Sequence, residues 1–134
     1  MGAAPSVICS NTDSFVDGLS LSPVFIYLDF EATGLSRWHD HITQIGAVAS
    51  SGDGVVYSHF DTLVYTTRKI CDKASEITGI TNDQLKTAPK TKCALDNMFS
   101  WISSLRKGEQ QVVLVAYNGI NYDFPLLFSE MYRN

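Results

Sequence analysis

The chain has 134 residues, 45% of them hydrophobic and 18% charged, and carries a formal net charge of −4. That is one domain with enough apolar material for a packed core, which excludes a disordered polyelectrolyte. The acidic balance excludes a protein that holds nucleic acid through a broad cationic surface, but not one that grips a few phosphates through metal ions.

Residues 1–23 are rich in Ser, Asp, Gly and Pro, show no periodicity and read as a flexible leader ending at Pro23. The segment Met1-Gly2-Ala3-Ala4-Pro5-Ser6 fits the loose N-myristoylation pattern, without the polybasic neighbour that firm anchoring needs. No stretch reads as a secretory signal or a membrane span. Cys9, Cys71 and Cys93 are far apart and form no CxxC pair, as expected of reduced thiols in an intracellular, cytoplasmic or nuclear protein.

Residues 24–134 read as the folded domain. Val24-Phe25-Ile26-Tyr27-Leu28 is a continuous apolar run, as in a strand buried on both faces. A polar loop follows from Thr33 to His41. Ile42 to Ala49 predicts a second strand and Val55 to Tyr65 a third, antiparallel to it across the turn signal Ser51-Gly52-Asp53-Gly54. Thr66 to Pro89 is polar, with a capping box at Thr81-Asn82-Asp83-Gln84 that starts a short helix. Leu95, Met98, Phe99, Ile102 and Leu105 lie at helical spacing within Lys92–Lys107, with Gly108 as a stop. Val112 to Ala116 is a further buried strand, and Asp123 to Arg133 begins another helix. The order predicts an α/β fold in which the fourth strand lies parallel beside the first, with the ligand site at their carboxyl ends.

Two acidic clusters fall at those ends. In Asp29-Phe30-Glu31-Ala32-Thr33-Gly34-Leu35 the two carboxylates are two residues apart, so an extended backbone sends them to one side. Carboxylates so placed repel unless a cation lies between them, and hard oxygen donors suit Mg²⁺ or Mn²⁺. The second cluster, Val115-Ala116-Tyr117-Asn118-Gly119-Ile120-Asn121-Tyr122-Asp123-Phe124-Pro125-Leu126-Leu127, brings Asp123 to the same region if the two strands are neighbours. Asp123 alone also reads as a helix N-terminal acid stabilised by the helix dipole. Arg68, Lys69, Lys73, Lys86, Lys90 and Lys92 fall in one stretch, but Asp72, Glu76 and Asp83 interleave with them, so a solvated face is the better reading. His39-Asp40-His41 reads the same way, as alternating residues of a polar loop.

The two clusters, DFEATGL and AYNGINYDFPLL, resemble the first two motifs of the DEDD (DnaQ-like) 3′→5′ exonucleases. With Ala74-Ser75-Glu76-Ile77-Thr78-Gly79-Ile80-Thr81 between them, the chain looks like the three-prime repair (TREX-type) exonucleases and the exonuclease-like domain of some PML proteins. The resemblance covers residues 24–132. It implies an RNase H-like mixed sheet flanked by helices. It implies Asp29, Glu31 and Asp123 as catalytic metal ligands for two Mg²⁺ or Mn²⁺ ions that assist hydrolysis of a phosphodiester at a DNA 3′ end. It implies that Glu31 and Ala32 hold the terminal nucleotide, that Leu35 wedges beside its base, that Ile77 packs on the other side, and that Tyr122 lies near the scissile phosphate. For Leu35, Ile77 and Tyr122, ordinary apolar packing is the competing reading.

The pattern also departs from the family. No HxxxxD- or YxxxD-type third motif follows, because His39, His41 and His59 precede the second cluster and no Asp or His follows Asp123. Tyr117 stands where the family commonly has His, and Asn121 where TREX-type enzymes usually have a basic residue. The expectations are a fold incomplete at its C-terminus, a bare sheet edge, and weak or absent turnover for want of a general base and a fourth acid. The partner implied is nucleic acid, most simply single-stranded DNA or DNA 3′ ends. The alternatives are a non-catalytic nucleic-acid-binding module and a homodimer paired through the edge strand around Val56 to Val64.

Overall fold

The computed structural model describes residues 5–9, 15–16, 19–20 and 22–134. Its main sheet has five strands: β1 (Pro5–Cys9), β4 (Val24–Ala32), β5 (Ile42–Ser50), β6 (Val56–Leu63) and β7 (Val112–Tyr117). The short strands β2 (Phe15–Val16) and β3 (Leu19–Ser20) pair separately. The sheet order is β1-β7-β4-β5-β6. Strand β4 pairs antiparallel with β5; it pairs parallel with β7, from Val24↔Val112 to Leu28↔Ala116, and β5 pairs antiparallel with β6, both as the sequence pattern predicts.

Three α-helices follow from local signals. α1 (Asp72–Thr78) starts at Cys71, whose Sγ accepts from the Ala74 amide, and ends at Gly79 in the left-handed region. A 3₁₀ turn (Asn82–Leu85) carries the expected capping box between Thr81 and Gln84. α2 (Thr91–Leu105) buries Ala94, Leu95, Met98 and Ile102. It ends at an extended Arg106, before the expected stop at Gly108. α3 (Asp123–Arg133) buries Phe124, Leu126 and Leu127. These apolar faces meet Val24, Ile26, Leu28 and Phe30 of β4 in one core. Each fully buried Leu, Ile or Phe contributes about 1.5–3 kcal/mol. Trp101 of α2 stacks on Phe60, ring centroids 5.6 Å apart, and donates from Nε1 to Ser58 Oγ at 3.0 Å, fixing the edge strand β6 to the helix layer.

Three expectations are corrected. First, β4 is not buried on both faces. Val24, Ile26, Leu28 and Phe30 are buried, whereas Tyr27 and Asp29 are exposed and Phe25 and Glu31 half-buried. Helices α2 and α3 cover one face, and the other carries the acids. Second, Pro5–Cys9, read as part of a flexible leader, forms β1 and pairs antiparallel with β7 from Pro5↔Tyr117 to Cys9↔Val113. The Ser-Val-Ile-Cys run has strand character, and the outer edge of β7 offers unpaired backbone groups. The bare edge expected beside β7 is therefore filled by β1. Within the same leader Phe15–Val16 and Leu19–Ser20 form the pair β2–β3, and residues 1–4, 10–14, 17–18 and 21 lie outside the described residues, as does the Met1–Ala4 part of the acylation pattern. Third, Asp40 is not a solvated loop acid but is buried.

Among the described residues, Cys71 and Cys93 are free thiols, and no helix is long and apolar enough to cross a membrane.

Candidate active site

Strands β4 and β7 end on the same side of the sheet, and the chain turns there twice. On β4, Asp29 and Glu31 leave the uncovered face, as a spacing of two dictates. Gly46, opposite Asp29 on β5, has no side chain to fill the space beside it. A groove of about 460 Å³ runs across this face, lined among others by Tyr27, Asp29, Glu31, Gln44, Gly46 and Asp61.

After β7 the chain reverses through Asn118, whose φ of 52° is the one left-handed value at a described non-glycine residue. Asn tolerates that conformation better than most residues. The Asn118 carbonyl accepts from the amides of Asn121 (3.2 Å) and Tyr122 (3.1 Å), and Gly119 accepts from the Phe124 amide at 2.8 Å. A Cβ at Gly119 would lie 2.9 Å from both Ala116 Cβ and Phe124 Cε2, so glycine is required by space. Ser6 of β1 accepts from the Ile120 amide at 3.0 Å. This turn sets Asp123 at the first position of α3, 6% exposed.

The three carboxylates feel one another. Burial pushes the Asp123 carboxyl up to about 7, and the charges of Asp29 and Glu31 add to the rise. Burial also raises Glu31, with Asp29 as second cause. The sequence-predicted trio is therefore assembled within electrostatic reach. Among the described residues no three His, Cys, Asp or Glu side chains converge to the spacing of a preformed metal cage. The donor set is nonetheless all carboxylate oxygen, which suits a hard divalent cation, and its unrelieved repulsion is what such a cation removes.

The loop after β4 forms a second wall. Thr33 Oγ1 donates to Asp40 Oδ1 at 2.7 Å, the Ser36 amide to Oδ2 at 2.8 Å, and Arg68 Nε to Oδ1 at 3.0 Å. Burial pushes the Asp40 carboxyl up, but these donors outweigh it and hold it below the usual carboxylate range. Gly34 has no room for a side chain, since a Cβ there would lie 2.7 Å from Asp40 Oδ2. From α3, Arg133 reaches the same loop, donating to the carbonyls of Asp40 (2.7 Å) and Trp38 (2.9 Å) while pairing with buried Glu130. His41 Nδ1 and Thr66 Oγ1 share a hydrogen bond of 2.8 Å. Burial lowers the His41 pKa, against the opposing charge of Glu130.

The remaining predicted residues divide. Leu35 is 78% and Ile77 72% exposed, so neither is a core residue. Ala32 is buried and offers the site only its backbone. Tyr122 is half-buried and donates from Oη to the Gly34 carbonyl at 2.9 Å, tying the two turns together. Burial, then Asp123, Asp40 and Glu31, push its phenol up to about 12, so it stays a donor. Sequence reasoning missed Asp40, Arg68, Glu130 and Arg133. A signal existed for the α3 pair: Glu130 lies seven residues after Asp123, on the same helix face, with Arg133 three further on.

Comparison with known proteins gives the family and the fold. The sequence profile of the RNase_T exonuclease family matches residues 26–134. The PolC-type DNA polymerase III of Thermotoga maritima is 35% identical over 103 residues, covering 77% of this chain and 7% of that protein. Three prime repair exonuclease 2 of Mus musculus is 33% identical over 124 residues, 81% of this chain and 52% of that protein. The chain thus spans about half or less of the length of these relatives. Exonuclease I, solved in complex with the inhibitor BCBP, superposes with a TM-score of 0.74 at 18% identity over 86% of this chain and 25% of its own. The E. coli exonuclease I complex with a dT13 oligonucleotide gives 0.72 at 18% identity over 84% and 24%. The fold is therefore the RNase H-like α/β fold of exonuclease I, and the chain belongs to the RNase_T exonuclease family.

Proposed function

We propose that this chain is the metal- and substrate-binding portion of a 3′→5′ exonuclease acting on nucleic-acid ends, most simply DNA. The observation that carries the reading is the gathering of Asp29, Glu31 and Asp123 at neighbouring strand ends, where burial first and then the charges of Asp29 and Glu31 push the Asp123 carboxyl up to about 7. These three residues would hold Mg²⁺ or Mn²⁺, two ions in a complete site. When bound, such ions activate water and stabilise the leaving 3′ oxygen.

The chain's own residues do the rest. Glu31 and the backbone of Ala32 hold the terminal nucleotide beside the carboxylates. Exposed Leu35 and Ile77 offer apolar contact to its base, a use that their solvent exposure supports. Tyr122, kept protonated, braces Gly34 and lies at the border of the phosphate position. These 134 residues include no Asp or His after Asp123 to act as a general base, so slow turnover is the expected result for them alone.

The test uses 3′-labelled single-stranded DNA with Mg²⁺. The expected result is metal-dependent binding and a slow nucleotide release that Asp29→Ala abolishes. Release or binding that ignores both Mg²⁺ and Asp29 would remove the proposal.

A strand-paired homodimer is a second reading, favoured by one observation. β6 is the last strand of the sheet, and Val55, Val56 and Tyr57 beside that edge are exposed. Sedimentation velocity is expected to show a concentration-dependent dimer that Val56→Lys disperses. A monomer at all concentrations eliminates this second reading.

A further inference from the structure

The basic stretch read from sequence as a solvated face is not uniform. Arg68 and Lys69 line a groove of about 610 Å³ together with Thr33, Gly34 and Leu35, the residues that directly follow the Glu31-Ala32 strand end. Lys69 also lines an adjoining groove of about 440 Å³, with Thr66, Thr67, Asn82 and Lys86. The two grooves share Lys69, and the first begins at Thr33, two residues after Glu31.

The turn that presents these cations is held from below. The Arg68 amide donates to Thr66 Oγ1 at 3.0 Å, its carbonyl accepts from Asn82 Nδ2 at 2.9 Å, and Asn82 Oδ1 accepts from the Ile70 amide at 2.9 Å. Arg68 spends only Nε on Asp40, and its side chain remains 45% exposed. The two terminal guanidinium nitrogens have no protein acceptor among the described residues. A planar fork oriented through Nε and open at its other end is suited to a phosphate oxygen pair. Lys69 is exposed, and no ion pair holds it among the described residues. Lys86 is the weakest member, because it pairs with Asp83 at 2.7 Å.

From this we infer that the groove over Arg68 and Lys69 is a phosphate track, which binds the sugar–phosphate backbone of a nucleic-acid strand engaged at the carboxylate site. The inference rests on the nuclease reading for its ligand class, and it adds the path of the strand. On a chain of net charge −4, two cations in the groove that follows the Glu31–Ala32 strand end favour the approach of a polyanion there.

The test is fluorescence anisotropy with a 5′-labelled oligothymidylate of about eight nucleotides in Mg²⁺, over a salt series. For Lys69→Ala the slope of log K against log salt is expected to fall by about 0.7, and for Arg68→Ala/Lys69→Ala by about 1.4, with Kd about tenfold weaker in the double variant. Lys107→Ala is the control. It follows α2 at the end of the sheet where the Val24 amide meets the Gln111 carbonyl, and it leaves both quantities unchanged. Removing Arg68 exposes Asp40 to loss of a partner, so circular dichroism accompanies each variant, and Lys69→Ala alone must show its share of the slope. Unchanged slopes in folded variants overturn the track, as does failure of the wild-type chain to bind the oligonucleotide. If binding depends on Arg68 and Lys69 but nothing depends on Asp29, the track stands and the nuclease reading falls. If Asp29-dependent release persists while the cations prove irrelevant, the reverse holds.

Discussion

Replacing Arg133 with alanine is expected to destabilise the fold by about 3 kcal/mol, toward the lower end of what breaking a buried ion pair costs. Glu130 is 1% exposed, and its Oε2 has no hydrogen-bond partner among the described residues. Its other oxygen is held by Arg133, so the substitution strands a buried carboxylate. It also removes the guanidinium donors to the Trp38 and Asp40 carbonyls, leaving Trp38 only the longer bond from Ser129 Oγ, and so loosens the loop that walls the active site. Urea unfolding measures the loss. Adding Glu130→Gln to Arg133→Ala is expected to recover part of it, because the stranded charge is gone while the loop contacts remain absent. A loss below about 0.5 kcal/mol would show that Glu130 is hydrated and the pair superficial.

The second large effect concerns Asp123. Its carboxyl lies at about 7 in the folded chain, against 3.8 as the ordinary value. The folded state therefore binds this proton more tightly than the unfolded state does. Between about pH 4 and pH 7 the native chain is the more protonated of the two, so stability from this group is present at the acid end and is lost as pH rises through 7. Above that, the fold carries a buried charge facing Asp29 and Glu31. Asp123→Asn removes it and is expected to stabilise the metal-free chain at about pH 8, by on the order of 1–2 kcal/mol after allowance for solvent screening. At about pH 4 the same substitution is expected to stabilise little. A stability gain that does not change across this window would mean that ionisation of the buried Asp123 carboxyl is not its source.

Much of this architecture is legible in the chain because its signals are local. The apolar run Val24–Leu28 and the spacing of Asp29 and Glu31 place two carboxylates on a strand, and the Thr81–Gln84 capping box and the Leu95–Leu105 periodicity place their helices within a residue or two. Asp123 is legible as a partner only once β7 is taken to lie beside β4, a topological inference that the parallel register bears out. What stays hidden depends on distant partners. Asp40 is buried because Thr33, Ser36 and Arg68 supply donors, the last from 28 residues away. Glu130 is buried because Arg133 compensates it. β1 joins the sheet because β7 has an edge to fill, and the strand character of Ser6–Cys9 does not by itself announce that partner. Burial of charge and pairing of edges are tertiary decisions, and a polar loop or leader looks the same in sequence whichever way they go.

The most direct test of a cation held among these carboxylates is the thermal midpoint at about pH 8, with and without MgCl₂, for wild type, Asp29→Asn and Asp123→Asn. Mg²⁺ is expected to raise the midpoint of the wild-type chain and to leave both variants nearly unmoved, with metal-free Asp123→Asn already above metal-free wild type. An equal rise in all three, or no rise in the wild type, would contradict the assignment of Asp29, Glu31 and Asp123 as the metal-binding set.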